Sequence, residues 1–181
     1  MTATATTSSP VLITAAVMEQ AATLAADLYR PLWTGSSGEQ STGETVARHL
    51  EAAADLLDET GWIRTWAVGA GQLGPVEDGA STKAMLRQLI DYIREEDDPG
   101  KPLTAVTAVD RIAGPEYGDG DTREIAQEVL NLLVQAATDH PTARFGAWAE
   151  RQHRTHAEIT VMFTAGALFA RTYGPKPPAA G

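Results

Sequence analysis

The chain has 181 residues, with 14 Lys+Arg against 24 Asp+Glu, a formal charge of −10 and a pI near 4.8. Domains run at roughly 150 residues, so one domain is the expectation, and a hydrophobic content of 43% excludes wholesale disorder. The acidity weighs against a nucleic-acid or anionic-membrane surface, which needs clustered Lys/Arg, and the lack of cysteine excludes disulfides, thiol catalysis, Fe–S clusters and the usual zinc modules.

The opening MTATATTSSP has no basic region, and Glu19, Gln20 and Asp27 interrupt the apolar stretch after it before a membrane span could be completed. A soluble cytoplasmic protein is expected. Arginine outnumbers lysine 11 to 3 and alanine is the commonest residue, which suggests a high-GC bacterial genome. Residues 1–10 and 175–181 have little to pack and are expected to be disordered.

Between those ends six helical segments are read. The first spans Val11 to Tyr29, with Val17, Leu24 and Leu28 at helical spacing. Pro31 ends it, because the residue before a proline avoids the α region. TGSSGEQSTG then reads as a flexible linker, so 11–30 would be a detachable helical arm and 31–44 a linker and helix start. The second helix opens on Ser41-x-x-Glu44 as a capping box, carries Val46, Leu50, Ala53 and Leu57, and stops at Gly61. Trp62, Ile63 and Trp66 follow on a short extended piece.

A glycine-rich loop from Gly69 to Gly79 leads to the third helix, Ser81 to about Glu95, with Met85, Leu86, Leu89, Ile90 and Ile93 at a clear 3.6 period. The acids Glu95 to Asp98 oppose the helix dipole and should unwind its last turn. The fourth segment, Leu103 to Ala113, is β-branched enough that a strand stays open. The fifth helix begins with Asp121-x-x-Glu124 and carries Ile125, Val129, Leu132, Leu133 and Ala136. The sixth opens on a third capping box, Thr155-x-x-Glu158, and its stripe of Ile159, Met162, Phe163, Gly166, Ala170 and Tyr173 stops at Gly174-Pro175. Caps, stops and periodicity agree, so the fold class is all-α: a compact bundle of about six helices with its helical domain over 45–174.

No motif specifies a chemistry. Gly69 to Gly74 matches GxGxxG, but Pro75 stands where the phosphate-binding helix would have to start. Asp119, Asp121 and Glu124 could hold a hard cation, yet the calcium-loop spacing fails and Asp121 reads as an N-cap. Glu150, His153 and His156 are three apart, but Thr155 as an N-cap splits them, leaving surface histidines and no metal site. None of the six serines lies in a G-x-S-x-G context, and His49 reads as a partly exposed helix histidine rather than a base. Trp62, Trp66 and Trp148 fall at helix edges, where rings anchor a core or line a pocket. Anchoring is the expectation for a small helical domain. On the pocket reading, Trp62, Trp66, Trp148, Glu150 and Arg154 would bind a ligand, with Arg154 beside Trp148 and Glu150 as a local pair or an anion holder.

The segments Ala147-Trp148-Ala149-Glu150 and Arg154-Thr155-His156-Ala157-Glu158-Ile159 resemble the C-terminal signature of the DUF6197 proteins, with Trp148, Arg154, Thr155 and Glu158 at matching spacing. Arg48 to Leu57 and Gly61-Trp62 resemble that family's opening, so the resemblance spans about Thr45 to Thr172 and leaves the first helix as an addition. Where the family has Asn-Asp and Pro-Gly, this chain has Ala149-Glu150 and Gln152-His153, and the family's central Cys and Gly-Ala-Leu run are missing around Leu103 to Ile112. The resemblance carries over no activity, cofactor or catalytic residue.

The leading expectation is a non-enzymatic helical protein acting through a protein partner or by self-association, with the first helix docking into a groove in cis or on another copy. The alternative is a small-molecule-binding protein or small enzyme with a Trp/Arg-lined pocket. Nucleic-acid binding would rest on Arg144, Arg151 and Arg154, the one dense basic group, against the overall charge. No cofactor is expected.

Overall fold

Threonine starts most of the helices. In a computed structural model, which describes residues 13–65, 79–96, 100–112 and 114–177, Thr14, Thr42, Thr104 and Thr155 each turn a side-chain oxygen to the backbone N–H three residues on. The hydroxyl satisfies one of the free amides of the first turn. Seven helices form among the described residues: α1 (Ala15–Ala26), α2 (Gly43–Thr60), α3 (Thr82–Glu96), α4 (Ala105–Arg111), α5 (Gly120–Thr138), α6 (Phe145–Ala149) and α7 (His156–Tyr173). No strand forms there; isolated bridges such as Trp62 with Leu103 are the only β pairings. The helical fold class therefore holds, with α6 added because five residues are too short to show a period. The segment that left a strand open is α4.

Two of the expected capping boxes are displaced by tertiary bonds. The α2 cap is Thr42, because Ser41 is buried and pairs its hydroxyl with Thr122 Oγ1 at 2.8 Å. Asp119 caps α5 through Thr122 N–H at 3.0 Å, because Asp121 faces the 35–39 turn. Asp121 accepts the Ser37 hydroxyl, the Ser37 N–H at 3.2 Å and the Ser36 hydroxyl at 3.4 Å. A Cβ at Gly35 would stand 2.0 Å from Asp121 Cγ, so glycine is required for this approach. The stretch read as a flexible linker is thus a turn bonded to the start of α5. The reading of Thr155-x-x-Glu158 as a capping box is matched on both sides. Gly61 ends α2 at φ 88, which a side chain would strain.

α5 lies at the centre, packing against α1, α2, α4, α6 and α7, and its Ile125, Val129, Leu130 and Leu133 are almost wholly buried. α2 and α7 form the closest pair. Gly166 lets α7 approach the core, since a Cβ there would meet Leu50 Cδ1 at 2.9 Å and Leu130 Cδ2 at 3.2 Å. At the other end of the pair Gly43 N–H donates to Pro175 O at 2.9 Å, and a Cβ on Gly43 would stand 2.1 Å from Ala170 O. Arg171 clamps the same end, with Nε 2.9 Å from Glu44 Oε2 and Nη2 2.9 Å from Glu51 Oε2. Hydrogen bonds to Glu51 and then Glu44 raise the Arg171 pKa, and the bond from Arg171 holds the Glu44 carboxyl below its ordinary value.

The first helix is docked in cis. It packs on α5, burying Met18 and Ala21, and Leu32 and Trp33 continue the contact, with Trp33 stacked on Phe169 at 6.2 Å. α3 differs from its sequence reading. Its apolar residues keep the helical period, but Met85, Leu86, Leu89 and Ile90 are 43%, 54%, 39% and 47% exposed rather than packed into the bundle. The expected disorder of 1–10 and of the tail's end, the GxGxxG loop, Trp66 and Asp97–Asp98 all fall outside the described residues; Pro175 is anchored by Gly43.

Candidate functional site: the cavity at the α5–α6–α7 corner

The corner is built by short-range bonds. Phe145 N–H donates to Asn131 Oδ1 at 2.9 Å, and Gln135 Nε2 donates to Ala143 O at 3.2 Å, which fixes α6 against α5. After α6 the chain turns tightly, with Arg154 N–H on Arg151 O at 2.9 Å. That turn brings Arg154 back over α6, its guanidinium carbon 4.1 Å from the Trp148 ring centroid. Trp148 in turn stacks on Phe145 at 6.1 Å, and Phe145 meets Phe163 at 5.6 Å, so the ring chain runs into the core.

Arg154 is 8% exposed and Trp148 6%. A cation so buried needs a partner, and Glu158 provides one, with Arg154 Nη1 2.8 Å from its Oε1. Burial pushes the Glu158 carboxyl up, but the Thr155 N–H, Arg154 and the Thr155 hydroxyl together outweigh this and hold it below its ordinary value. The pair leaves two donors over. Arg154 Nε–H and Trp148 Nε1–H are buried without a hydrogen-bond partner among the described residues.

These two side chains form one wall of a cavity of about 480 Å³. Arg144, Arg151, His140 and His153 also line it, Val134 and Ala147 add apolar wall, and no Asp or Glu is among the described lining residues. Arg144 lies 3.9 Å from Glu128, while Arg151 has no side-chain partner among the described residues. Two other cavities differ in character. One of about 410 Å³ between α1 and the end of α7 is lined without any charged side chain. Another of about 420 Å³ is dominated by Glu51, Asp55 and Glu59.

Of the sequence-derived ligand residues, the structure brings Trp148 and Arg154 together. Glu150 is exposed and is not Arg154's partner; Glu158, one turn into α7, is reached more directly by the folded-back arginine. Trp62 belongs to a neighbouring cluster, stacked on His156 at 6.4 Å with the Arg64 guanidinium 5.6 Å from its ring. His156 Nε2 lies 3.2 Å from Asp58 Oδ1 without hydrogen-bond alignment, an ion pair only when the imidazole is protonated. Arg64 Nη2 joins the clusters by donating to Arg154 O at 3.3 Å.

His49, read as partly exposed, is 1% exposed. Its Nδ1 lies 3.0 Å from Tyr117 O and its Nε2 2.9 Å from Val109 O, so it ties α2 to α4 and to the loop before α5. Among the described residues no three His, Asp or Glu side chains gather as a metal site, and no helix is long and apolar enough to cross a membrane.

The fold and this corner define a helical body with a cation- and ring-lined cavity at one end. The chain belongs to the family of unknown function DUF6197, whose model matches residues 41–168. That span runs from the start of α2 into α7, so it contains the whole cavity and leaves α1 outside. No curated protein and no solved structure matches the chain.

Proposed function

We propose that the protein is a small-molecule-binding protein without catalytic activity of its own, and that the α5–α6–α7 cavity is where it binds. The observation that carries the reading is the stacked Arg154–Trp148 pair on the wall of a cavity that Arg144, Arg151, His140 and His153 also line, with no carboxylate among its described lining residues. A mixed wall of apolar and polar groups in a space of about 480 Å³ suits a small ligand. The cytoplasmic setting expected from the sequence stays part of this reading. In ¹H–¹⁵N spectra the Trp148 indole resonance, assigned through Trp148→Phe, should shift on addition of a bound compound. A chemically diverse set of small molecules that leaves it unmoved while shifting other residues would refute the assignment.

A second reading, a protein partner or a second copy of the chain, is favoured by the exposed stripe of α3. The first helix supports it less, since the apolar face of α1 is already buried on α5. Self-association through α3 would show as a mass above the monomer in light scattering that falls for Leu86→Asp; a monomeric mass for both proteins would remove it.

A further inference from the structure

We infer that the cavity takes an oxyanion: the carboxylate or phosphate of a small molecule whose remaining body is apolar. This rests on the reading of the cavity as the binding site and adds the chemistry of what enters it. The protein as a whole carries a formal charge of −10, yet this corner gathers Arg144, Arg151 and Arg154 with His140 and His153 and no carboxylate among its described lining residues. Screening decides which charge a ligand feels. At physiological ionic strength charges beyond about 8 Å are largely screened, so the acids a ligand would feel are Glu158 and Glu128, which pair with Arg154 and Arg144, and the charge of Arg151 is left over.

The arginines differ in availability. Arg154 commits one nitrogen to Glu158 and keeps its Nε–H unpartnered beneath the cavity wall. Arg144 has a loose contact with Glu128 at 3.9 Å. Arg151 is exposed at the rim, with its guanidinium unpaired among the described residues, and is the group free to offer a planar fork to an oxyanion. A lysine-type point charge would attract an anion without orienting it; three guanidinium groups around one space favour carboxylate or phosphate geometry. Val134, Ala147 and the Trp148 ring then contact the apolar remainder. An uncharged ligand would leave Arg151 without a counter-charge, and a cation would be repelled by it.

The test is an NMR titration of the full chain with benzoate, phenyl phosphate, benzamide and benzylamine, which share a ring and differ in charge. Benzoate or phenyl phosphate should shift the Trp148 indole and Arg151 Nε resonances, more weakly as salt is added. Whichever anion binds more tightly identifies the headgroup. Arg151→Gln, at an exposed position, should fold normally and weaken both anions about tenfold, the worth of one charge-assisted hydrogen bond, while barely altering benzamide. Benzamide binding as tightly as the anions, with no effect of Arg151→Gln, would overturn the oxyanion inference and leave the cavity standing as a binding site. No shift of Trp148 with any of the probes would overturn both.

Discussion

At the residue scale, the corner depends on a few bonds whose loss has distinct signatures. Thr155 and Glu158 cap each other, with Glu158 N–H on Thr155 Oγ1 at 3.3 Å and Thr155 N–H on Glu158 Oε2 at 2.9 Å. Thr155→Ala should cost about 1 kcal/mol in chemical denaturation. Glu158→Gln should cost more, about 2 kcal/mol, because Arg154 is 8% exposed and would lose its counter-charge while staying buried. An equal or smaller loss than Thr155→Ala would mean that the buried ion pair contributes little. Acid should act through the same group. The folded-state pKa of Glu158 is below its ordinary 4.5, as is that of Glu44. Their contribution is therefore complete above the unfolded value and is lost as the pH falls below about 4.5 through the lower folded values. Denaturation midpoints followed from pH 7 to about 3 should drop in that lower window, and less steeply in Glu158→Gln.

Residue-scale legibility was uneven for a physical reason. Thr155, Glu158, Trp148 and Arg154 could be singled out because capping is local and the other two stand beside it in the sequence. Closeness along the chain offers Glu150 as a local pair for Arg154, with anion holding as the alternative, whereas the folded turn points the guanidinium at Glu158 in α7. Arg144 and Arg151 are visible in the sequence as part of a basic group, whereas their convergence on one cavity depends on the path through α6.

At the scale of elements, tertiary bonds moved boundaries that local rules had placed. Ser41 and Asp121 are good cap residues on their own, but Thr122 and Ser37 claim them, and the caps fall to Thr42 and Asp119. The 35–39 turn looked flexible because glycine and serine compose linkers, whereas its hydrogen bonds to Asp121 span 84 residues of sequence. Periodicity placed the long helices well and was blind to what their stripes face, as α3 shows. Close approach of α2 and α7 gives the sharpest element-scale expectation. Gly43→Ala would drive a Cβ into the Ala170 carbonyl, a backbone atom that cannot rotate away, and should destabilise by about 2 kcal/mol. A neutral result in thermal denaturation would mean that the two helices can separate freely at that end. A chain beginning at Ser41 would bare the α5 surface that Met18 and Ala21 cover and should be less stable by about 2–4 kcal/mol. Unchanged stability would restore the view of α1 as a detachable arm.

At the scale of the whole molecule, charge is unevenly spread over the described residues. Acids dominate the α2 flank around Glu51, Asp55 and Glu59, while arginines and histidines gather at the α5–α6–α7 corner. Net charge, the quantity most easily read from sequence, describes the average and conceals this division. Binding at that corner is the claim on which the account rests, and Trp148 is placed to report it. The decisive measurement is the response of its indole N–H resonance to benzoate and phenyl phosphate. A saturable, salt-sensitive shift that Arg151→Gln weakens about tenfold is the expected result; a Trp148 resonance indifferent to both anions would contradict binding at this corner.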